Sequence, residues 1–500
     1  MTQPTRARAI MLQGTSSHVG KTVVVAGLCR LLAQDGFRVA PFKSQNMSLN
    51  AHVAPEGGEM GWAQAMQAEA AGVPARVEMN PILLKPRADA MSQVVVLGKA
   101  IRDMPAREYY RHAARLWPAV RSSYAAIARE ADVVVIEGAG SPAEPNLMRR
   151  DLANMRVAAM AKAPVLLVGD IDRGGVFASL VGTMAILEPP HRRRVAGFVI
   201  NKFRGDARLL APALRDLERR AHRPVLGVVP YVHDLSLPEE DSVALDGPSF
   251  PPGSEPSSVP TVAIVKLPHI ANFTDFAPLE SEQGVRVVYA GSSRDLSGAA
   301  LVVLPGSKDT IADLRWLKSR GLDEALAAHV RGGGALLGIC GGYQMLGRMV
   351  EDPHGVESGG AEPGLALLPL HTTLEPAKVT QRVKARLLPD GPDFEAYEIH
   401  AGTTRVEGDL APFCVRGGGA ADGAVSADGR VRGTYLHGLL EAGVVRRRVL
   451  EWAGALPAAA TTARDHRALR EAGYDRLAHT LREALDIGAV YRLLGLSGVS

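Results

Sequence analysis

The sequence predicts an α/β protein built from two doubly wound, mostly parallel sheets in succession. Three observations carry that expectation. Short apolar runs bounded by Gly, Pro and polar clusters recur along the chain, each followed by a stretch of helical periodicity, and this alternation is what βαβ units require. Gly is abundant at 52 residues while aromatics make up only 5%, which suits a fold with many tight strand–helix turns. The alternation is interrupted once, between 236 and 260, where six prolines stand among Ser and Gly. Such a stretch reads as a linker. The expected organisation is therefore a domain over 1–235, a linker over 236–260, a second domain over 261–445 and a helical extension over 446–500.

The first strand is ARAIMLQG (7–14). It runs into GTSSHVGKT (14–22) and then into the apolar, helix-patterned VVVAGLCRLLAQDG. Strand, Gly-rich loop, Lys-Thr and helix make a phosphate cradle. Loop amides around Gly14, Thr15 and Gly20 face the phosphates, Lys21 reaches the outer ones, and the Thr22 hydroxyl suits Mg²⁺. The loop is one residue longer than the strict spacing, since five residues separate Gly14 from Gly20. RVAPFKSQNMSLN (38–50) reads as a second strand ending in a polar loop with Lys43, Gln45, Asn46 and Asn50, at the end of a parallel strand where ligands bind; a plain surface loop is the alternative. Residues 58–130 read as mostly helical, broken at MNPILLKP (79–86), with SQVVVLGK (92–99) as a short strand.

ADVVVIEGAGS (131–141) is a core strand with Glu137 at its tip, and APVLLVGDIDRGG (163–175) another with Asp170 and Asp172 at its tip. Carboxylates there sit above the cradle, where Mg²⁺ takes hard oxygen ligands, although helix capping would also account for them. VAGFVINKFRGD (195–206) and RPVLGVVPY (223–231) are further strands, and Asn201 and Lys202 are placed to meet a nucleotide base.

The second alternation starts at TVAIVKLPHIANFTDF (261–276) and leads to LPGSKDT (304–310) and ALLGICGGYQMLG (335–347). Apolar residues run into Cys340, and Gly341 and Gly342 follow at once, which reads as a buried strand ending in a sharp turn that presents a nucleophile. A helix starting near Gly342 would favour the thiolate. A buried structural cysteine is the alternative reading. Residues 365–415 look β-rich, with FEAYEIHAGTT (394–404) as strand and turn, and RVRGTYLHGLLE (430–441) is a strand ending near His437.

Composition narrows the class. Three cysteines are too few for a disulfide framework and suit a reducing, cytoplasmic setting. The N-terminal apolar run is too short for a signal peptide, and no later run is long enough to span a bilayer. A net charge of +4 fits an acidic substrate. The basic residues are scattered and not interleaved with aromatics, which argues against nucleic acid.

LPGSKDT, GICGGYQMLG and GTYLHG resemble the class I, or triad, glutamine amidotransferase domain. GTSSHVGKT, with the tips at Glu137 and Asp170, is similar to the ATP-binding fold of dethiobiotin synthetase. Their combination in this order resembles the cobyrinic acid amidating synthetases, and KSQNMSLN, GDIDRGGVFAS, NKFRGD, LPEEDS and YEIHAG resemble the cobyric acid synthase branch. The resemblance covers about 8–445 and implies a P-loop-type sheet followed by a flavodoxin-like amidotransferase domain.

It further implies that Cys340 attacks the glutamine amide to give a thioester, that His437 is its base, and that Gly306 and Gly341 form the oxyanion hole. It implies ATP and Mg²⁺, with Thr22, Glu137 and Asp170 as metal ligands, and glutamine as nitrogen donor. The implied acceptor is a corrinoid, adenosylcobyrinic acid a,c-diamide, amidated at b, d, e and g. The sister activity on positions a and c is the nearest alternative. A partitioning-type nucleotide switch with an inert C-terminal binding module is an alternative of another class. The Glu that usually follows the base by two residues is Leu439 here, so the orientation of His437 is left open; His400, near Glu398, is one candidate helper. Oligomeric state stays open.

Overall fold

In a computed structural model, residues 7–87, 91–233, 235, 237, 259–456 and 465–496 are described. Nearly all of the expected linker, with the LPEEDS motif, lies outside them. The chain forms two compact units, one of residues 1–48, 54–235 and 470–500, the other of 49–53 and 236–469.

The first unit is organised on six strands: β1 (Arg8–Gly14), β2 (Val39–Phe42), β3 (Val133–Glu137), β4 (Val165–Asp170), β5 (Val195–Phe203) and β6 (Val225–Pro230). Their order is β6-β5-β4-β1-β3-β2 and every pairing is parallel. Val133 to Ile136 and Val165 to Val168 are wholly buried. Continuous apolar strands of that kind belong in a sheet covered on both faces. The register sets Gly14 beside Val168, Leu12 beside Glu137 and Asp170 beside Asn201. Three polar residues distant in sequence, Glu137, Asp170 and Asn201, therefore reach the same carboxyl edge of the sheet as Gly14, where the Gly-rich loop begins.

The region expected to be mostly helical, with a break at 79–86 and a short strand at 92–99, holds that strand and two neighbouring ones that were not expected. Helices cover Trp62–Ala70 and Ala106–Glu130, but Ile82–Pro86, Met91–Val96 and Lys99–Pro105 form a meander that joins Gln45–Met47 in a second, four-stranded sheet. The ILLK and VVV runs are short and β-favouring, and antiparallel pairing of Leu83 with Val95 satisfies them better than helical periodicity does. The C-terminal residues of this unit pack on the helix Lys21–Gln34: Leu477 and Leu481 lie where a Cβ on Gly27 would meet them at 2.7 and 2.5 Å. Arg482 and Tyr491 both bond Asp35 at that helix's end.

The second unit has a sheet of β7 (Thr261–Val265), β8 (Arg286–Ala290), β9 (Leu301–Leu304), β10 (Ala335–Ile339), then β13 (Ala424–Val425) and β14 (Val431–Thr434). The order is β8-β7-β9-β10-β14-β13, parallel except for the β13–β14 edge. Between β10 and β13 the chain makes a long antiparallel hairpin of β11 (Leu370–Leu387) and β12 (Asp393–Val406), the β-rich region the sequence led us to expect. Among the described residues no helix is long and apolar enough to cross a membrane.

Candidate active site

β10 is buried along its length and ends at Ile339, opposite Thr434 of β14. Cys340 and the segment 435–437 therefore leave neighbouring strands at the same edge, which brings together residues far apart in sequence. Cys340 sits at φ +52°, ψ −109°, ahead of a one-turn helix over Gly341–Met345. A non-glycine residue held at such a dihedral costs about 1–3 kcal/mol and persists only where its surroundings fix it. Here the Cys340 amide donates to Thr434 O at 2.8 Å and its carbonyl accepts from Gln344 N at 3.0 Å.

The turn is tight enough to dictate its glycines. A Cβ on Gly342 would lie 1.9 Å from Leu304 O and 2.8 Å from Pro305 O, both backbone atoms. Gly342→Ala should cost about 3 kcal/mol or more, because neither neighbour can swing aside. Gly182→Ala should instead stabilise by about 0.5–1 kcal/mol, since that helical glycine has nothing within 4 Å. Thermal unfolding of the two variants should show shifts of opposite sign.

The LPGSKDT loop is pinned beside the thiol. Ser307 Oγ donates to Asp313 Oδ2 at 2.6 Å, and His269 Nδ1 lies 2.7 Å from Asp313 Oδ1. Asp309 caps the helix Thr310–Ser319 through Ala312 N at 3.2 Å. A Cβ on Gly306 would stand 3.1 Å from His437 Cε1 and 3.8 Å from Cys340 Cβ, so this glycine lies between the two side chains. No described backbone group accepts from the amides of Gly306 or Gly341.

His437 is 1% exposed and Cys340 6%. The imidazole Nδ1 meets Asp275 Oδ2 at 2.6 Å, and the other ring nitrogen, buried without an oxygen or nitrogen partner among the described residues, is left to the Cys340 sulfur. Burial opposes a charged ring, but the Asp275 carboxylate and the Cys340 sulfur outweigh it, and the His437 pKa is pushed up to about 10. Asp275 is a residue sequence reading missed. Its only signal was a carboxylate in NFTDF, just past a buried strand. His400 does not orient His437. It stacks on Tyr435 at 3.9 Å between centroids, and its strand neighbour Glu398 is engaged by Arg416 at 3.0 Å and by Gln381.

In the first unit the loop after β1 closes on the helix Lys21–Gln34 through Gly20, at φ +89°. A side chain there would also strike Asn201 Nδ2, 2.3 Å from the Cβ position. Lys21 Nζ donates to Ser16 O at 2.9 Å and Gly140 O at 3.2 Å, so its ammonium arches over the loop. Thr15 N is bonded to Val168 O at 3.0 Å. Glu137 is 1% exposed and accepts from Thr22 Oγ1 at 2.9 Å, Lys43 Nζ at 2.8 Å and Gln67 Nε2 at 2.6 Å.

Three of the expected ligand-loop residues are thus drawn inward rather than onto a surface loop. Lys43 joins Glu137, Asn46 donates to Gln64 at 3.2 Å, and Gln45 accepts from Tyr109 at 2.6 Å. Asn201 and Lys202 clasp the phosphate loop itself, through Val19 O at 2.8 Å and His18 O at 2.6 Å, and Lys202 also pairs with Asp170 at 3.0 Å. No cluster of three or more His, Cys, Asp or Glu side chains suited to a metal occurs among the described residues. The Thr22 hydroxyl and Glu137 carboxylate, which already converge, suit Mg²⁺, an ion that keeps waters and takes phosphate oxygens beside one or two protein ligands.

Comparison with known proteins agrees with both halves. Residues 10–244 match the CobQ/CobB/MinD/ParA nucleotide binding domain, and 261–444 the CobB/CobQ-like glutamine amidotransferase domain. The chain is 48% identical to a cobyric acid synthase of Moorella thermoacetica over 98% of both chains. It is 49% identical to one of Desulforudis audaxviator over 98% of this chain and 100% of the relative. For that of Sorangium cellulosum the identity is 50%, over 98% and 99%. With likeness of that degree running end to end, and with a thiol–imidazole pair and a phosphate loop each built on its own parallel sheet, the chain belongs to the cobyric acid synthase family of amidating enzymes.

Proposed function

We propose that the protein converts adenosylcobyrinic acid a,c-diamide to adenosylcobyric acid by amidating the b, d, e and g carboxylates, with ATP and glutamine consumed at each step. The observation that carries this reading is the match to cobyric acid synthases over 98% of the chain. The geometry of each centre supports a distinct half of the chemistry.

At the first centre His437 takes the Cys340 proton, and the thiolate attacks the glutamine side-chain carbonyl. The amides of Gly306 and Gly341, which donate to no described backbone carbonyl, are assigned to the oxyanion that forms. Collapse expels ammonia with a proton from His437 and leaves a glutamyl thioester. Water, activated by the same imidazole, then releases glutamate and restores the thiol.

At the second centre the acceptor carboxylate, a poor electrophile, takes the γ-phosphoryl of ATP to give an acyl phosphate and ADP. Ammonia adds to that carbonyl and phosphate leaves, so each cycle turns one carboxylate into one amide. Gly14, Gly20 and Lys21 cradle the phosphates, Thr15 ties the loop to β4 through Val168 O, and Asn201 and Lys202 hold the loop in shape. Thr22 and Glu137, with Asp170 nearby, would hold Mg²⁺, whose charge screens the transferring phosphoryl group. The three cysteines are free thiols, as a reducing cytoplasm would keep them.

Mass spectrometry of the corrinoid tests the assignment. With amide-¹⁵N glutamine and ATP, the a,c-diamide should gain up to four labelled amides in fixed mass steps. Turnover of cobyrinic acid at a and c, with the a,c-diamide untouched, would transfer the assignment to the sister activity. Nucleotide hydrolysis without any amide would overturn both.

A further inference from the structure

The second unit supplies an acid for its buried histidine from an unexpected place. Asp275 lies in the single 3-10 turn Phe273–Phe276, just beyond β7, and is 5% exposed. The turn is set by Asn272 in the left-handed region at φ +54°, whose Oδ1 accepts from Ala51 N at 3.0 Å. Both oxygens of Asp275 are committed. Oδ2 meets His437 Nδ1 at 2.6 Å, while Oδ1 accepts from Gly438 N at 3.0 Å and Tyr397 OH at 3.3 Å. A carboxylate with that many donors has one available pose.

Tyr397 braces the imidazole from its face. The rings stack at 5.3 Å and 15°, and the two residues exchange backbone bonds, Tyr397 N to His437 O at 3.1 Å and His437 N to Tyr397 O at 2.9 Å. The groups with charge or titratable protons around His437 are then Asp275, Cys340 and Tyr397, with Glu441 acting on Tyr397 and His52 against the Tyr397 ring. Leu439, at the position of the Glu in the general class I triad pattern, is wholly buried among apolar neighbours and has no acid to offer.

We propose that Asp275, presented by the loop after the first strand of the unit rather than by the segment following His437, is the positioning residue that fixes the ring and tautomer of His437, with Tyr397 as its brace. This rests on the glutaminase half of the proposed function. A carboxylate on Nδ1–H leaves Nε2 as the nitrogen that exchanges a proton with sulfur, and it stabilises the imidazolium formed when the thiolate is made. An amide in its place would keep the shape but lose the charge and present the wrong hydrogen-bonding sense to the ring.

The test is Asp275→Asn in the full chain, read by glutamate release from glutamine. We expect kcat to fall about 10²–10³-fold with KM for glutamine little changed, as befits a group that acts through another. The alkaline limb of the pH profile should move down towards the ordinary imidazole range, because the negative charge that raises the His437 pKa is gone. None of these readouts involves the corrinoid, so wild-type protein that releases no glutamate would sink the functional reading, and an unaffected Asp275→Asn would sink this one alone. Equal loss in kcat and KM with an unmoved limb would also overturn it. On the unaltered protein, ¹⁵N-histidine NMR should show a far-downfield Nδ1 proton that vanishes in His437→Gln. Its absence refutes the proposal even if the Asp275 variant fails to fold.

Discussion

Replacing Cys340 by Ser should reduce glutamine-dependent amidation by about 10⁴-fold or more while leaving amidation driven by added ammonia near the wild-type rate. The loss is large because a serine hydroxyl in this position must be deprotonated against a far higher pKa, and the imidazole that polarises a thiol cannot do the same for it. The turn itself should survive. Its dihedral strain is held by the Thr434 and Gln344 backbone bonds and by the approach of Leu304 to Gly342, none of which touches the sulfur. The measurement is paired: labelled amide formed from glutamine, and amide formed from an ammonium salt at alkaline pH, where free ammonia is present. If the variant is folded and the ammonia-driven rate collapses as well, the nitrogen-releasing and carboxylate-activating centres are not separable as proposed.

The legible parts of this molecule were those in which neighbours in sequence act together. Strand, loop, Lys21-Thr22 and helix announce a phosphate cradle because the loop amides and the helix start are contiguous. The same holds for Cys340 and its glycines, whose spacing is dictated by one turn of backbone. The pairing of His437 with Cys340 came from the resemblance of GTYLHG to the amidotransferase pattern, since the β-patterned run before it says only that a strand ends there. Asp275 was not legible in either way. It lies 162 residues before His437, and their meeting depends on β7 and β14 ending at the same edge of one sheet. Nothing in the local pattern of NFTDF distinguishes a base-orienting carboxylate from a loop cap.

The fate of Lys43 and Asn46 was likewise hidden. Their composition is that of a polar loop, yet Lys43 turns in to Glu137 of the main sheet, and Asn46, in a strand of the second sheet, to Gln64 of a helix. Burying Lys43 against Glu137 is favourable only because Thr22 and Gln67 satisfy the remaining carboxylate positions. That degree of satisfaction is a tertiary property. It also explains why Asn201 and Lys202, expected at a nucleotide base, spend their donors on the carbonyls of His18 and Val19 and thereby shape the phosphate loop.

Lys21→Ala should give the mirror image of the cysteine variant: amidation from glutamine and from ammonia fall together by about 10³-fold or more, while glutamate release continues. Phosphoryl transfer gains little from covalent help and depends on charge placed against the phosphates, so removing one fixed ammonium costs both nucleotide affinity and the transfer step. Lys21 is suited to that task by its position. It is 6% exposed, its Nζ rests on the carbonyls of Ser16 and Gly140 at 2.9 and 3.2 Å, and a small rotation exchanges those acceptors for phosphate oxygens. Neutral carbonyls are weaker partners than phosphate, so the exchange is downhill when nucleotide arrives. Calorimetric titration with ATP should show weakened binding in the variant, and thermal unfolding should show the first unit still folded through its continuous apolar strands. Ammonia-driven amidation within a few-fold of wild type would mean that the loop after β1 does not hold the reacting phosphates, and the energising half of the mechanism would have to be sought elsewhere on the sheet.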